Sequence, residues 1–343
     1  MRSSVSRRAF VSGAAATLFA LPTSASEQAP IILRPEIEGV HPRYARYAST
    51  GDYLSPTPIE FRYARTRIIV FFPQGARSGR LVVFSHGALS DPLSYSGLLQ
   101  HWATHGFVVA APTHDDSPIE RGLTIRRSSA QGVAEWRIPT LLEDAKSWKD
   151  RADACAACID AAELIGKATG VKVNTDRPAI AGHGYGAFVA QLLMGAKVTD
   201  SDGSVLRLRD PRFFAAILMS PQGAGVMGLR EDSWSEVASP LLVFLAENER
   251  DFTGQPPERS SDPFRLSKPG YKHLAFLKGG VSNAYTGQVA GMGPGAARLF
   301  EVVRAVSTAF LLSYSAYEEE AFADLTTDFF RRMSLGLVVE DRR

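Results

Sequence analysis

The chain has 343 residues, of which 45% are hydrophobic and 22% charged, and its formal net charge at pH 7 is +2. This composition is that of an ordinary globular protein with enough apolar residues for a sizeable core. Two cysteines exclude a disulfide scaffold at this length, and the nearly neutral charge excludes electrostatic recognition of nucleic acid or acidic lipid.

Residues 1–25 resemble a twin-arginine export signal. Arg7 and Arg8 precede an apolar stretch, and Thr23 and Ala25 occupy the −3 and −1 positions of a cleavage site. The alternative, a membrane anchor, is disfavoured because the stretch is too short to span a bilayer, and no later segment is long and apolar enough to do so. We expect cleavage after Ala25 and a periplasmic or extracellular mature protein. Its net charge is −1, because three arginines and no acid are removed.

The chain after the signal is predicted to hold one domain. Residues 26–55 are predicted as an exposed leader, 56–330 as a single domain and 331–343 as a tail. An opening hairpin is predicted at 59–64 and 67–75, a strand at 178–182, and buried strands at 79–87, 107–114, 213–221, 239–248 and 271–280. Helices are predicted at 92–106, 143–170, 185–196 and 295–325, with a surface hairpin at 199–210. Continuous apolar strands that alternate with helices predict an α/β fold, with a mostly parallel, doubly wound sheet covered on both faces.

Both cysteines lie in the predicted helix 143–170. Cys155 and Cys158 have the C-x-x-C spacing that invites a redox interpretation. They stand in the middle of an Ala-rich helix, however, and not at a helix start, where a low thiol pKa arises. We therefore expect them to be small core-facing residues.

The turn between the predicted strand 178–182 and the predicted helix 185–196 has the layout of a nucleophile elbow, G-x-S-x-G. Gly182 and Gly186 are its outer glycines, but the middle position is Gly184 and not serine. The position that should carry the nucleophile therefore has no side chain.

Several motifs, in chain order, resemble those of α/β-hydrolases, and most of all the branch of dienelactone hydrolase and platelet-activating-factor acetylhydrolase. Residues 81–114 resemble the strand, oxyanion turn, helix and next strand of this superfamily. Residues 210–221 resemble the strand after the elbow helix, 240–251 the acid-bearing strand and 277–287 the histidine loop. The resemblance covers roughly residues 60–325. It implies an α/β-hydrolase fold and a family of carboxylic-ester hydrolases with a Ser–His–acid triad.

The triad positions implied by the resemblance are Gly184 for the nucleophile, Glu249 for the acid and Ser282 for the histidine. Glu247 and Asp251 are alternatives for the acid if the register of the strand shifts. Glutamate can orient an imidazole as aspartate does, so this substitution alone preserves the chemistry.

No histidine follows His273 in the chain, and His273 lies inside a predicted strand, away from the sheet edge that carries the site. Two of three triad members are therefore missing. Without a hydroxyl no acyl-enzyme forms, and without an imidazole no group takes the hydroxyl proton.

The oxyanion apparatus, by contrast, is present in the sequence. Ser85, His86, Gly87 and Ala88 form the turn after a predicted strand, where backbone N–H groups can bind a developing oxyanion. The N–H of Tyr185, which follows the nucleophile position, is the expected second donor.

For the histidines and acids around this turn, we weigh a structural role against a role in catalysis or metal binding. We expect His183 to pack behind the elbow and His86 to shape the turn, and acid–base catalysis is the alternative for His86. His114, Asp115 and Asp116 could ligate a metal, but adjacent loop residues point apart, so no metal is expected. No dinucleotide or phosphate-binding motif is present, and no cofactor is expected.

Two functions follow from these observations. The favoured one is a secreted pseudo-hydrolase that binds a small ester-like or anionic ligand, or a partner, without turnover. The alternative is an ester or lactone hydrolase, or a lyase, that uses displaced groups in the same pocket. Its candidate residues are Ser85, Ser90, Ser220, Ser282, His86, His183 and Glu249.

Overall fold

The computed structural model describes residues 41–118, 120, 141–249, 253–287 and 294–343. The predicted signal, most of the predicted leader and Asp251 lie outside the described residues.

Eleven strands are described, and nine of them form one sheet. In chain order they are β1 (Ile59–Tyr63), β2 (Thr66–Phe71), β3 (Ser78–Ser85), β4 (Phe107–Thr113), β5 (Lys172–His183), β6 (Lys197–Thr199), β7 (Val205–Arg207), β8 (Ala215–Met219), β9 (Leu241–Ala246), β10 (Lys272–Leu277) and β11 (Val338–Arg342). The order across the large sheet is β1-β2-β4-β3-β5-β8-β9-β10-β11, and β6 pairs with β7 in a separate hairpin.

Nine α-helices are described along the same stretch of chain. They are α1 (Pro42–Ala48), α2 (Ser96–Thr104), α3 (Ala145–Asp160), α4 (Ala162–Thr169), α5 (Tyr185–Leu193), α6 (Asp262–Leu266), α7 (Pro294–Tyr314), α8 (Glu319–Leu325) and α9 (Phe329–Met333). Short 3₁₀ helices span Pro92–Tyr95, Pro257–Ser261 and Ser282–Tyr285.

The centre of the large sheet is parallel. Strands β4, β3, β5, β8, β9 and β10 run in one direction, whereas β2 is antiparallel to β4 and β11 is antiparallel to β10. The carboxyl ends of the parallel strands therefore meet at one edge, where α/β folds place their sites. The predicted fold class is confirmed: this is an α/β-hydrolase fold.

Both faces of the sheet are buried, as the continuous apolar strands require. Along β3, Val82 and Phe84 belong to one hydrophobic cluster and Leu81 and Val83 to the other. Helices α1, α2 and α7 cover the first face, and α3, α4 and α5 cover the second. Strand alternation thus accounts for two cores that share one sheet.

The two ends of the described chain differ from the sequence-based expectation. Helix α1 was expected in an exposed leader, but its Tyr44 and Tyr47 are buried, and the Tyr47 hydroxyl donates to Asp324 at 2.8 Å. Strand β11 was expected in a tail, but it is the ninth strand of the sheet. Both segments pack as parts of the domain.

Both long predicted helices are interrupted. Helix 143–170 divides into α3 and α4 at Ala161, and helix 295–325 divides into α7 and α8. Tyr317 lies between α7 and α8 with a φ of 62°, a left-handed conformation that a continuous helix cannot contain.

The expectation for the cysteines is confirmed. Cys155 and Cys158 are free thiols and fully buried in α3. Burial raises the pKa of the Cys155 thiol to about 12, so it is unreactive at neutral pH.

Candidate functional site

The elbow forms at the carboxyl end of β5. Gly184 has φ 53° and ψ −114°, between the last residue of β5 and the first residue of α5. A Cβ on Gly182 would lie 2.3 Å from the backbone of Gly186, and a Cβ on Gly186 would lie 1.9 Å from the Ser85 carbonyl oxygen. A Cβ on Gly184, by contrast, would meet nothing within 4 Å. The turn therefore has the tight packing of an elbow around an open space where a side chain is missing.

The oxyanion turn lies directly against this elbow. A Cβ on Gly87 would lie 3.6 Å from both the carbonyl oxygen and Nδ1 of His183. Among the residues that the structure describes, neither the Ala88 N–H nor the Tyr185 N–H has a hydrogen-bond acceptor. The sequence predicts one donor within the turn of Ser85 to Ala88 and a second at Tyr185, and these two N–H groups remain available to a ligand oxygen.

A buried ion pair holds the turn in place. The guanidinium of Arg151 donates to the carbonyl oxygens of His86 at 2.8 Å and Gly87 at 3.3 Å. It also pairs with the carboxylate of Asp116 at 2.7 Å, and both side chains are only 3% exposed. The same carboxylate accepts the Leu89 N–H at 2.8 Å. Arg151 thus holds two carbonyl groups of the turn, and Asp116 holds the amide that follows it.

Arg151 also contacts the elbow. Its guanidinium lies over the ring of Tyr185, 4.2 Å from the centroid, in a cation–π arrangement. Burial alone would raise the pKa of Asp116, but the Arg151 guanidinium, His86 and the Leu89 amide bring that pKa below its usual value. The pair therefore stays charged at neutral pH and connects the two halves of the oxyanion site.

His86 shapes the turn and does not face the open site. Its Nε2 accepts the backbone N–H of His114 at 3.1 Å, which leaves Nδ1–H to donate to the Gly87 carbonyl at 2.8 Å. Burial lowers the pKa of His86 to about 3, so its ring is neutral. Ser85 is fully buried and pairs with His114 Nε2 at 2.9 Å. Both side chains are engaged by other groups of the protein in this arrangement.

The metal alternative has no cluster to support it within the described ranges. His114 is bonded to Ser85 and Asp116 is bonded to Arg151, so two of the three candidate ligands have other partners. The Asp116 carboxylate serves as a structural counter-ion.

His183 lies beside the elbow and is held by Tyr95. Its Nδ1 is 2.8 Å from the Tyr95 hydroxyl, which also accepts the Gly87 N–H at 3.3 Å. Burial lowers the pKa of His183 to about 4. The imidazole is therefore neutral and links the elbow to the oxyanion turn.

Two carboxylates follow β9 at the acid position. Glu247 accepts the Gly279 N–H at 2.7 Å, and Glu249 accepts the Ala246 N–H at 3.3 Å. A small cavity of about 70 Å³ adjoins them. It is lined by Leu245, Ala246, Glu247, Glu249, Gln255, Pro257, Ser260 and Phe276. Glu249 is close enough to Tyr285 to raise its pKa, which makes Glu249 the better candidate for the acid position.

The expected histidine loop contributes a tyrosine, Tyr285, to the region near Glu249 and His183. Tyr285 ends the 3₁₀ helix that begins at Ser282, the expected histidine position. Its ring is fully buried and centred 5.2 Å from the His183 ring and 6.2 Å from the Phe244 ring. Burial, followed by the charge of Glu249, raises the pKa of Tyr285 well above its usual value. The phenol therefore keeps its proton at neutral pH.

His273 is remote from the site, as expected. It is the second residue of β10 and pairs with Arg342 at the amino edge of the sheet.

Ser220 is the neighbour of the elbow on the next strand. It follows β8, whose last residue, Met219, accepts the Gly184 N–H at 2.9 Å. Ser220 has a φ of 53°, and its buried hydroxyl lies close enough to the Tyr285 phenol to lower that pKa, against the effect of burial. It is thus a strained serine near the site that no imidazole activates.

Part of the chain is similar to a known protein family. Residues 57–201 match the family model of the chlorophyllases. Chlorophyllase-1, chloroplastic, of Citrus sinensis is 30% identical over 122 residues, which cover 36% of this chain and 34% of the relative. The protein of the same name from Citrus unshiu is 29% identical over 122 residues, with the same shares. The match spans about a third of the length of these curated relatives.

The matched region contains the oxyanion turn and the elbow with Gly184. Glu249 and Ser282 lie beyond its end at residue 201. The comparison therefore supports an α/β-hydrolase-type family through the part of the candidate site that contains the turn of Ser85 to Ala88 and the elbow. No helix in the described part of the chain is long and apolar enough to cross a membrane.

Proposed function

We propose that this protein is an exported pseudo-hydrolase that binds a small ester-like or anionic ligand, or a partner, at the elbow and does not turn it over. The observation that carries this proposal is the elbow itself. Gly184 leaves an open space where a nucleophile would stand, while the amides of Ala88 and Tyr185 are held ready beside it. An oxygen of the ligand would accept from these two donors.

We expect no catalysis because the groups that would act as nucleophile and base are missing. Glycine supplies no nucleophile, and Tyr285, whose pKa is raised, supplies no base. An oxyanion hole and binding alone give only about 10³–10⁴-fold acceleration over water. The substituted triad, with Gly184, Glu249 and Ser282 at the catalytic positions, and the likeness to the dienelactone hydrolase branch both belong to this proposal.

The chlorophyllases are named for chlorophyll. Chlorophyll is therefore included among the ligands to be tested. The shared region is the one with the oxyanion donors, so a shared mode of carbonyl binding is the part of chlorophyllase function that this chain would keep.

The decisive experiment compares binding and turnover in the chain that starts at Ser26. Phenyl butyrate, a thioester analogue and chlorophyll should bind without hydrolysis, as followed by ligand NMR and product analysis. Gly184→Leu should abolish binding, because its side chain fills the open space. Gly170→Leu is the matched control, since Gly170 also has a positive φ, 72°, and no atom within 4 Å of its would-be Cβ. Equal binding by both variants would refute an elbow site.

A displaced nucleophile is the second candidate, favoured by Ser220, which has a strained backbone and lies beside Tyr285 next to the elbow. A fluorophosphonate probe should leave the protein unlabelled if the pseudo-hydrolase proposal is right. Stoichiometric labelling that Ser220→Ala removes would replace it with an atypical hydrolase.

Export is part of the same proposal. In a host with a twin-arginine pathway, the protein should reach the periplasm or the medium and begin at Ser26. Replacement of Arg7 and Arg8 by lysine should retain it in the cytoplasm, and unchanged export would refute the signal. Fractionation and N-terminal sequencing decide between these results.

A further inference from the structure

A second cleft, of about 190 Å³, lies at the opposite edge of the sheet from the elbow, at the amino end of β10. Its lining residues are Tyr271, Lys272, His273, Tyr314, Thr326, Arg342 and Arg343. Drug-sized ligands occupy about 300–1,000 Å³, so this cleft suits a smaller molecule.

The cleft is rich in positive charge. Lys272 donates to the carbonyl oxygens of Ala238 at 3.0 Å and Gly270 at 2.8 Å, and burial lowers its pKa to about 8, with a smaller effect from Arg343. Within the described ranges, none of Lys272, Arg342 and Arg343 has a carboxylate within ion-pair distance.

A carboxylate does lie near the cleft. Glu340 stands two residues before Arg342 on the same face of β11. Burial raises the pKa of Glu340 to about 7, and it accepts the Arg331 N–H at 3.2 Å. At neutral pH it therefore compensates only part of the positive charge.

His273 adds a polar wall. It is 5% exposed, and its Nε2 is 2.7 Å from the Tyr314 hydroxyl. Burial lowers its pKa to about 3, with contributions from Arg342 and Lys272, so the ring is neutral. When Tyr314 donates to Nε2, the proton is on Nδ1, which is buried and has no partner in the described structure. A buried donor without an acceptor calls for an unseen partner.

Aromatic rings form the remaining wall. Tyr271 precedes β10 with a φ of 57°, although its side chain is 59% exposed. Its ring centroid lies 5.9 Å from that of Tyr314 and 6.4 Å from that of Phe322. A large residue in the left-handed region is strained, and such strain is concentrated at functional sites.

From these features we propose that the cleft binds a small aromatic carboxylate. The carboxylate pairs with the Arg342 guanidinium, and the flat ring packs against Tyr271 and Tyr314. The site is independent of the elbow, because it occupies the opposite edge of the sheet.

Benzoate tests this proposal by isothermal titration and ligand NMR with the mature chain. It should bind saturably at one site per protein, and acetate, phosphate and benzyl alcohol should bind at least about tenfold more weakly, since each lacks either the ring or the carboxylate. Arg342→Gln should weaken benzoate binding about tenfold, the effect of one lost charge-assisted hydrogen bond.

Tyr271→Asn should also weaken binding, since asparagine tolerates the left-handed backbone and only the ring is lost. Tyr317→Asn is the matched control, because Tyr317 is 54% exposed, has a φ of 62° and does not line the cleft. Arg230→Gln is the control for charge. The proposal fails if benzoate does not saturate, if acetate or phosphate binds equally well, or if the control variants weaken binding as much as the cleft variants.

Discussion

At the residue scale, the three glycines of the elbow differ in what a side chain would meet. Gly184→Ala should cost about 1–3 kcal/mol of unfolding free energy, because only backbone strain opposes it. Gly186→Ala should cost more than about 4 kcal/mol, because its Cβ would lie 1.9 Å from the Ser85 carbonyl and the backbones must separate. Urea unfolding of the two variants gives both values. Equal losses would mean that the elbow is not packed as described.

Rebuilding the triad provides a second test at this scale. Gly184→Ser alone should yield little esterase activity, because no imidazole stands at position 282. The double variant with Ser282→His should do better, since nucleophile and base act as a unit, and Glu249→Gln should then lower that activity. Kinetics with a short-chain aryl ester measure all three. If the single variant matches the double, another group already serves as the base.

The residue-level site was only partly predictable from sequence. Gly184, the turn of Ser85 to Ala88 and the Tyr185 N–H follow from motifs that are local in the chain. Arg151 could not be identified, because it meets Asp116 across 35 positions and the predicted helix gave no sign of that contact. Tyr285 lies within the expected histidine loop, but only the fold brings its ring against His183.

At the element scale, the oxyanion turn depends on helix α3 through the ion pair of Arg151 and Asp116. Arg151→Met should cost about 3–5 kcal/mol, because it leaves a buried carboxylate without a partner. The double variant with Asp116→Leu should recover much of this loss. Lys167→Met, which removes an exposed pair with Glu163, should cost at most about 1 kcal/mol. Urea midpoints provide the comparison, and a double variant no more stable than Arg151→Met would contradict the mechanism.

Most elements of the sheet could be predicted because their strands are continuous apolar runs. Strand β11 was missed because most of its residues are polar or charged, and its pairing with β10 joins positions far apart in the chain. Helix α1 was missed because seven residues are too few for a periodic pattern, and its stability comes from packing against α7 and α8. The pairing of β11 and the packing of α1 both depend on residues far away in the chain, so the local sequence does not predict them.

At the scale of the whole molecule, buried neutral histidines make stability depend on pH. Burial lowers the pKa to about 3 for His86 and His273 and to about 4 for His183, against about 6.5 in an unfolded chain. Below pH 6.5 the unfolded chain therefore binds more protons than the folded one, and stability falls as the pH drops. Each histidine contributes up to about 1.4 kcal/mol per pH unit, and Glu340, with a raised pKa, offsets part of this.

Urea midpoints at pH 7.5, 6.5, 5.5 and 4.5 test this dependence. We expect little change between the first two values and a steep decline below them. His183→Gln should reduce the slope, because one group that takes up a proton on unfolding is removed. A midpoint that stays constant down to pH 4.5 would contradict the burial of neutral imidazoles.

Strand β11 has a consequence for the behaviour of the protein in concentrated solution. It forms one outer edge of the nine-stranded sheet, and an open edge is a template for pairing with another chain. Here the strand carries the charged residues Glu340, Asp341 and Arg342, and Arg343 follows it. A second copy that approached this edge would have to desolvate these charges. An antiparallel alignment centred on Asp341 would place two aspartates face to face, although it would also set each Glu340 opposite an Arg342. The strand that completes the sheet thus also protects it from edge-to-edge aggregation.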